Sequence, residues 1–325
     1  MVKRRTIIEE LQEEEQTLLV NGGEDFQTCL DLFLKDMTMR NLAYHTKRWY
    51  KENLAIVKRA LENQKYSSAP LHTTEKMLKD VIVYCMEQLG NNPTTINHRI
   101  RSMNQFYGFL YNESILPINP AHSLHKQKGK KEQIKPFTDD EVKALLDQPY
   151  RKEFVGFRDY TLMLVLLDTG VRLSELVNIK TTDISLESGK IIVLGKGSKE
   201  REVMFQATTR EQLKRYLKVR GTVHHDYLWI AHDDKPLARK TIQDRLKKYG
   251  EMAGVNKRVS PHTFRHTCAK MYITQGGDIF SLQQLLGHSS LEMCRHYVNL
   301  FGTDLQNMHR KFSPVESIIK YKKGL

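Results

Sequence analysis

Tyr297 stands nine residues after His288, in the run Leu286-Gly287-His288-Ser289-Ser290-Leu291-Glu292-Met293-Cys294-Arg295-His296-Tyr297. Upstream lie His262-Thr263-Phe264-Arg265-His266 and, further back, Thr169-Gly170-Val171-Arg172-Leu173-Ser174-Glu175. One phenol with a scattered set of Arg, Lys and His is the equipment for cutting a phosphodiester without a metal. The tyrosine can attack phosphorus, and the cations can hold the charge that develops there.

Each residue type suits one part of that reaction. Arginine suits the non-bridging oxygens, because its planar fork donates two hydrogen bonds to phosphate and keeps its charge. Arg172 and Arg265 are the candidates, each preorganised donor contributing ~3–4 kcal/mol at the transition state. Glu175, three residues after Arg172, can hold that guanidinium if a helix begins near Val171, although such a pair alone is more often a surface salt bridge. The leaving 5′ oxygen needs a proton, and Lys196, in the run Gly195-Lys196-Gly197-Ser198-Lys199, is suited to deliver it. Lys199 is its rival, and by itself either reads as an exposed turn lysine. A phenol with a reference pKa of about 10 needs help at neutral pH. Neighbouring cations favour phenolate, His262 can accept or relay the proton, and His288 can donate to a phosphate oxygen. Taken singly, each histidine is more often structural.

One distance constrains the scheme. Ser289 and Glu292 have capping-box spacing, so a helix is expected right after His288. At ~1.5 Å per residue a straight helix from there carries Tyr297 roughly 13 Å away. Both reach one phosphate only if the helix breaks, turns back, or hands its tyrosine to a neighbouring subunit.

Competing chemistries find little support. His262 and His266 are four apart but lack the H-E-x-x-H glutamate and a third ligand at metal spacing, so no metal is expected. Neither a G-x-x-x-x-G-K-[ST] phosphate loop nor a serine nucleophile elbow occurs. The glycines of Gly195-Lys196-Gly197 sit between strands, which argues against a dinucleotide site. The reaction is therefore expected to need no cofactor.

The elements that must position these groups read as mainly α with a small β-hairpin. With 325 residues and 40% hydrophobic content the chain can bury two cores. A net charge of +13 and a pI near 9.4 imply a polyanionic partner, nucleic acid before others. The mean hydropathy of -0.53 and the lack of a long uncharged apolar run argue against a membrane span. The basic N-terminus runs into glutamates, not an apolar segment, so no secretory signal is expected. Cys29, Cys85, Cys268 and Cys294 are far apart and read as reduced thiols of a cytoplasmic protein.

Residues 1–24 read as a leader, 25–123 as a helical domain, 124–137 as a basic linker, 138–300 as a second domain and 301–325 as a tail. Apolar residues recur at helical spacing in Phe26, Leu30 and Phe33, in Leu54, Val57 and Leu61, and from Ile96 to Leu110. Polar faces there offer DNA contacts: Lys47 and Arg48 on one helix, Asn97, Arg99 and Arg101 on another. Lys126, Lys128, Lys130 and Lys131 in the linker, and Arg239 with Lys240 further on, are further candidates. A solvated charge is the bland alternative for each. Thr138 and Glu141 form a capping box, and Phe154 to Thr169 reads as a buried helix despite Arg158 and Asp159. Strand patterns cover Ile191 to Leu194 and Glu202 to Phe205.

Together the motifs resemble the tyrosine recombinase (phage integrase) family. The likeness covers Thr138 to about Val298: Thr-Gly-Val-Arg172-Leu-Ser-Glu175-Leu, Leu-Gly-Lys196-Gly-Ser-Lys-Glu-Arg, Ser-Pro-His262-Thr-Phe-Arg265-His266-Thr, Leu-Leu-Gly-His288-Ser-Ser and Tyr297. Residues 25–123 resemble, less specifically, that family's helical core-binding domain, and the layout is similar to compact Xer-type recombinases and some transposon integrases. Thr94 and Thr95 stand where such proteins begin a helix that faces DNA, so the resemblance adds them to the candidate contacts. The resemblance implies a two-domain DNA clamp in which Arg172, Lys196, His262, Arg265 and His288 activate the scissile phosphate for Tyr297. It implies a 3′-phosphotyrosyl link, a Holliday junction, and a homo-tetramer on double-stranded recombination sites built from a monomer or weak oligomer. A second recombinase or an accessory directionality protein is a candidate partner. Leu305, Met308, Phe312, Ile318 and Ile319 in the tail are candidates for docking on an adjacent subunit or on their own domain. The rival readings are a type IB topoisomerase-like enzyme and a non-catalytic DNA-binding regulator of the same fold.

Overall fold

The computed structural model describes residues 25–129, 135–195 and 200–287, with single positions 309, 313 and 315. Two compact units divide between residues 132 and 133, inside the lysine-rich stretch. Each has its own apolar core.

The first unit is helical: α1 (Phe26–Met39), α2 (Tyr44–Asn63), α3 (Glu75–Glu87) and α4 (Pro93–Asn112). Side-chain caps start three of them. Asp25 accepts from the Thr28 N–H at 2.7 Å, Thr74 from Met77 at 3.3 Å, and Asn92 from Thr95 at 2.9 Å. The apolar repeats read from the sequence face inward, with Phe33 meeting Tyr50 and Phe106 edge-on. Asn97 on α4 straps the following segment, accepting from the Gln127 N–H at 2.8 Å and donating to its carbonyl at 3.0 Å. The start of the basic stretch is therefore held along α4.

In the second unit Thr138 and Glu141 make the expected capping box ahead of α5 (Asp139–Leu146). The helix α6 (Phe154–Thr169) is buried along most of its length. Its two buried charges, Arg158 and Asp159, are absorbed locally. Asp159 accepts from Arg158 at 2.7 and 2.9 Å, from Arg245 Nε at 2.6 Å and from the Tyr249 hydroxyl at 2.8 Å. Arg245 and Tyr249 belong to α9 (Arg239–Met252), so the buried carboxylate pins α9 to α6. Between these helices come the one-turn α7 (Leu173–Leu176), an antiparallel sheet and α8 (Ala207–Arg220). The chain then continues into α10 (Pro261–Thr274) and α11 (Ile279–Leu286).

The sheet runs β1 (Ile184–Ser185), β2 (Lys190–Leu194) and β3 (Glu200–Met204), in that order. The hairpin expected from the sequence is β2–β3, with Ile191 opposite Val203 and Val193 opposite Arg201. β2 begins one residue before the sequence alternation, and β3 begins two residues before it and ends at Met204, one residue short of Phe205. The additional strand β1 is two residues long, too short to show a period of two. Among the described residues no helix is long and apolar enough to cross a membrane.

Candidate active site

Gly170 ends α6 in the left-handed conformation, at φ +59°. A Cβ there would lie 2.7 Å from Leu286 Cδ2 and 3.2 Å from Cys268 Sγ, so both the turn and the close approach require glycine. After buried Val171 the chain is extended at Arg172, the residue capping α7.

Arg172 is fixed from three directions. Its N–H donates to Glu175 Oε2 at 2.9 Å, its Nη1 to Glu175 Oε1 at 2.8 Å, and its Nη2 to the Gly287 carbonyl at 3.0 Å. The Glu175 side chain is 1% exposed, whereas 38% of the Arg172 side chain stays open. The sequence placed both on one helical face; instead Arg172 precedes the helix and Glu175 reaches back to it, as the third residue of a capping box does.

The Glu175 carboxylate has a second cation, Arg201 on β3, whose Nη2 donates to Oε2 at 2.7 Å. Burial pushes the Glu175 pKa up. The Arg172 N–H and the charges of Arg201 and Arg172 outweigh that and hold it below the ordinary carboxylate value. Burial draws the Arg201 pKa down while Glu175 pulls it up, and a guanidinium starts high enough to stay charged.

Arg265 sits one turn into α10, which starts at the Ser260 cap with Pro261 in its first turn. Only 3% exposed, it donates from Nη1 to the Gly170 carbonyl at 2.6 Å and from Nη2 to the Leu286 carbonyl at 2.7 Å. With the Arg201 Nη1 bond to the Leu285 carbonyl, three successive carbonyls at the end of α11 each accept from a different arginine: Leu285 from Arg201, Leu286 from Arg265, Gly287 from Arg172. A helix C-terminus presents orphan carbonyls and the negative end of the helix dipole, so it can gather cations that would otherwise repel. The residue that follows in sequence is His288.

His262 lies in the first turn of α10, its Nε2 3.2 Å from Nε2 of His266. One nitrogen must carry the hydrogen and the other must not, so the two tautomers are coupled. Partial burial of its ring, then the charges of Arg265, Arg258 and Arg172, hold the His262 pKa below the ordinary imidazole value. A neutral, proton-accepting imidazole beside a cluster of arginines can receive a proton where anionic phosphate is bound.

Lys196 with its rival Lys199, His288, Tyr297, Lys130 and Lys131 lie outside the described residues, as do the leader, the Ser289–Glu292 capping box and the tail residues Leu305, Met308, Phe312, Ile318 and Ile319. Of the other candidates, Arg48, Thr94, Lys126, Lys128, Arg239 and Lys240 are exposed, and Lys47 and Thr95 are half-buried. Asn97 uses its amide on Gln127, and half-buried Arg99 bonds to Asn53. Among the described residues no cluster of three or more His, Cys, Asp or Glu could hold a metal.

Sequence reasoning missed Arg201. The signal was there: Arg201 and Val203 share a strand face by their spacing of two, and a cation beside a core-facing valine demands a carboxylate.

Comparisons with known proteins bear on the family and the fold. The sequence profile of the phage integrase family matches residues 124–303. The tyrosine recombinase XerD of Chlorobaculum tepidum is 28% identical over 302 residues, 90% of this chain and 98% of that protein. The tyrosine recombinase XerC of Listeria innocua is 31% identical over 284 residues, 85% of this chain and 93% of the relative. A crystal structure of a lambda integrase dimer bound to a COC′ core site matches with a TM-score of 0.69 at 18% identity, over 82% of this chain and 96% of that one, which speaks for the fold.

Proposed function

The chain belongs to the phage integrase family of tyrosine recombinases, and from that premise we propose that its arginine cluster activates a DNA phosphate for attack by Tyr297. The protein is a site-specific DNA recombinase, an enzyme that breaks and rejoins DNA at recombination sites. The observation that carries the residue assignment is the meeting of Arg172 and Arg265 on consecutive carbonyls, Gly287 and Leu286, although 93 positions separate them in the chain.

In the proposed reaction the Tyr297 oxygen forms a bond to phosphorus and the 5′ oxygen leaves with a proton from Lys196. The product is a 3′-phosphotyrosyl link and a free 5′ hydroxyl. Arg172 and Arg265 bind the non-bridging oxygens, His262 takes or relays the phenol proton, and His288 donates to the phosphate. A 5′ hydroxyl of the partner duplex then displaces Tyr297, and a Holliday junction forms. One ester replaces another of similar energy, so the scheme calls for neither ATP nor a metal. A homo-tetramer on paired sites, assembled from weakly associating protomers in the cytoplasm, fits this exchange. Either a second recombinase or an accessory protein would set its direction. The proposed division is a core-binding domain, 25–123, and a catalytic domain, 138–300, joined by the basic segment 124–137; a split into two compact units between residues 132 and 133 supports it. The exposed cations Arg48, Lys126, Lys128, Arg239 and Lys240 are the proposed backbone contacts. Near-complete cover of XerC and XerD supports the compact Xer-type layout.

The test is a nicked suicide duplex whose site has been recovered by binding selection from randomised DNA. In EDTA the protein should form a denaturation-resistant adduct that Tyr297→Phe lacks; an adduct surviving in that variant would move the nucleophile elsewhere. On a plasmid carrying two sites, recombinant circles support the reading, whereas relaxation alone points to topoisomerase-like action.

A further inference from the structure

The buried carboxylate of Glu175 poses an electrostatic problem for the site. It lies against Arg172, the guanidinium with the open face, and one carboxylate beside one arginine leaves a neutral pair. A neutral pair is a poor receptor for phosphate. Yet the carboxylate is needed where it is, because it accepts both the N–H and Nη1 of Arg172 and so fixes the direction of the side chain.

Arg201 resolves this. Its Nη2 reaches Glu175 Oε2 at 2.7 Å, its Nη1 bonds the Leu285 carbonyl, and its side chain is 14% exposed. The stem packs on Gly287, where a Cβ would lie 2.5 Å from its Nε and 2.6 Å from its Cδ. Strand alternation puts Arg201 on the same face of β3 as buried Val203. Two guanidiniums therefore share one carboxylate, and the trio keeps a net positive charge whose open side is Arg172.

We propose that Arg201 is a positioning residue that supplies the counter-charge for Glu175, leaving the charge of Arg172 available to the scissile phosphate. The same side chain ties strand β3 to the end of α11, immediately before His288 in sequence. This assignment rests on the recombinase reading above.

Single-turnover cleavage of the suicide duplex at saturating DNA, with full-length protein, tests it. Arg201→Met, which keeps the packing and removes the charge, should cleave roughly 10–100-fold slower, the rate equivalent of one charge-assisted hydrogen bond. Its affinity for the duplex should stay near parental. Adding Glu175→Gln to that variant should restore part of the rate, because it removes the carboxylate left competing for Arg172. A purely architectural Arg201 predicts the reverse, a further loss in the double variant. Arg201→Lys should lie closer to the parent than to Arg201→Met, and it serves in place of Arg201→Met should the latter not fold. The proposal is overturned by a parental rate in Arg201→Met, by a double variant slower than the single, or by a folded Arg201→Lys with no cleavage. Failure of the parent protein to form any Tyr297-dependent adduct would instead bring down the recombinase reading itself.

Discussion

Arg265 donates to the Gly170 carbonyl at 2.6 Å across 95 positions of sequence, joining a residue one turn into α10 to the residue that caps the end of α6. The contact gives Arg265 a structural task besides any catalytic one. Arg172, partly open to solvent and bonded mainly to Glu175, carries less of the architecture.

The two arginines should therefore separate in substitution experiments. Arg265→Ala deprives two buried carbonyls of their donor and should cost about 1–3 kcal/mol of stability as well as cleavage. Arg172→Ala should abolish most cleavage, by about 10²–10³-fold, with a small change in melting temperature and DNA binding largely kept. Thermal melting beside suicide-substrate cleavage reads both. Equal melting losses in the two variants would contradict the division.

Gly170→Ala tests the turn that leads to Arg172. The residue would have to hold φ +59° with its Cβ 2.7 Å from Leu286 Cδ2. Strain of this kind costs on the order of 1–3 kcal/mol, and displacing Leu286 should also slow cleavage. Chemical denaturation that leaves the midpoint unchanged would show that the turn is looser than described.

The His262 pKa lies below its ordinary value of 6.5, so the folded state holds fewer protons there than the unfolded chain. Its contribution to stability is present above about pH 6.5 and is lost as pH falls through the lowered folded value. The same protonation should draw the acid limb of the cleavage profile below pH 6.5, since only neutral His262 can accept a proton. Arg258→Ala removes one of the charges responsible and should move that limb upward. An NMR titration of the His262 ring checks the direction, and a limb that stays put in Arg258→Ala would count against His262 as acceptor.

Asp159→Ala should be among the most damaging changes away from the site. It leaves Arg158 and Arg245 without their shared buried carboxylate, a break worth roughly 3–5 kcal/mol. Because Asp159 holds α9 on α6, DNA affinity should weaken too if Arg239 and Lys240 contact the backbone. Retained stability by urea unfolding would mean the network is relayed by solvent.

Much was legible from local chemistry. The capping box of Thr138 and Glu141, the extent of the helix Phe154–Thr169 and the hairpin all depend on neighbours in sequence, and their residues name themselves. The family emerged for the same reason: its motifs are short, and each keeps its spacing within one turn or one strand. Less legible were the strand Ile184–Ser185, too brief for periodicity, and the use of Asn97 and Arg99, whose partners Gln127 and Asn53 lie 30 and 46 positions away. A polar side chain on a helix face looks the same in sequence whether it meets solvent, DNA or its own chain.

By itself, then, the sequence determined the reaction class, since a phenol, arginines, a lysine and histidines of fixed order admit few chemistries. Tertiary structure alone decided how those charges coexist. Arg172, Arg201 and Arg265 come from three distant segments and meet at the carbonyls of Leu285, Leu286 and Gly287, with Glu175 between two of them. Like charges repel wherever they stand in a list of residues. Only a folded chain can bring a helix terminus and a buried carboxylate close enough to hold them together.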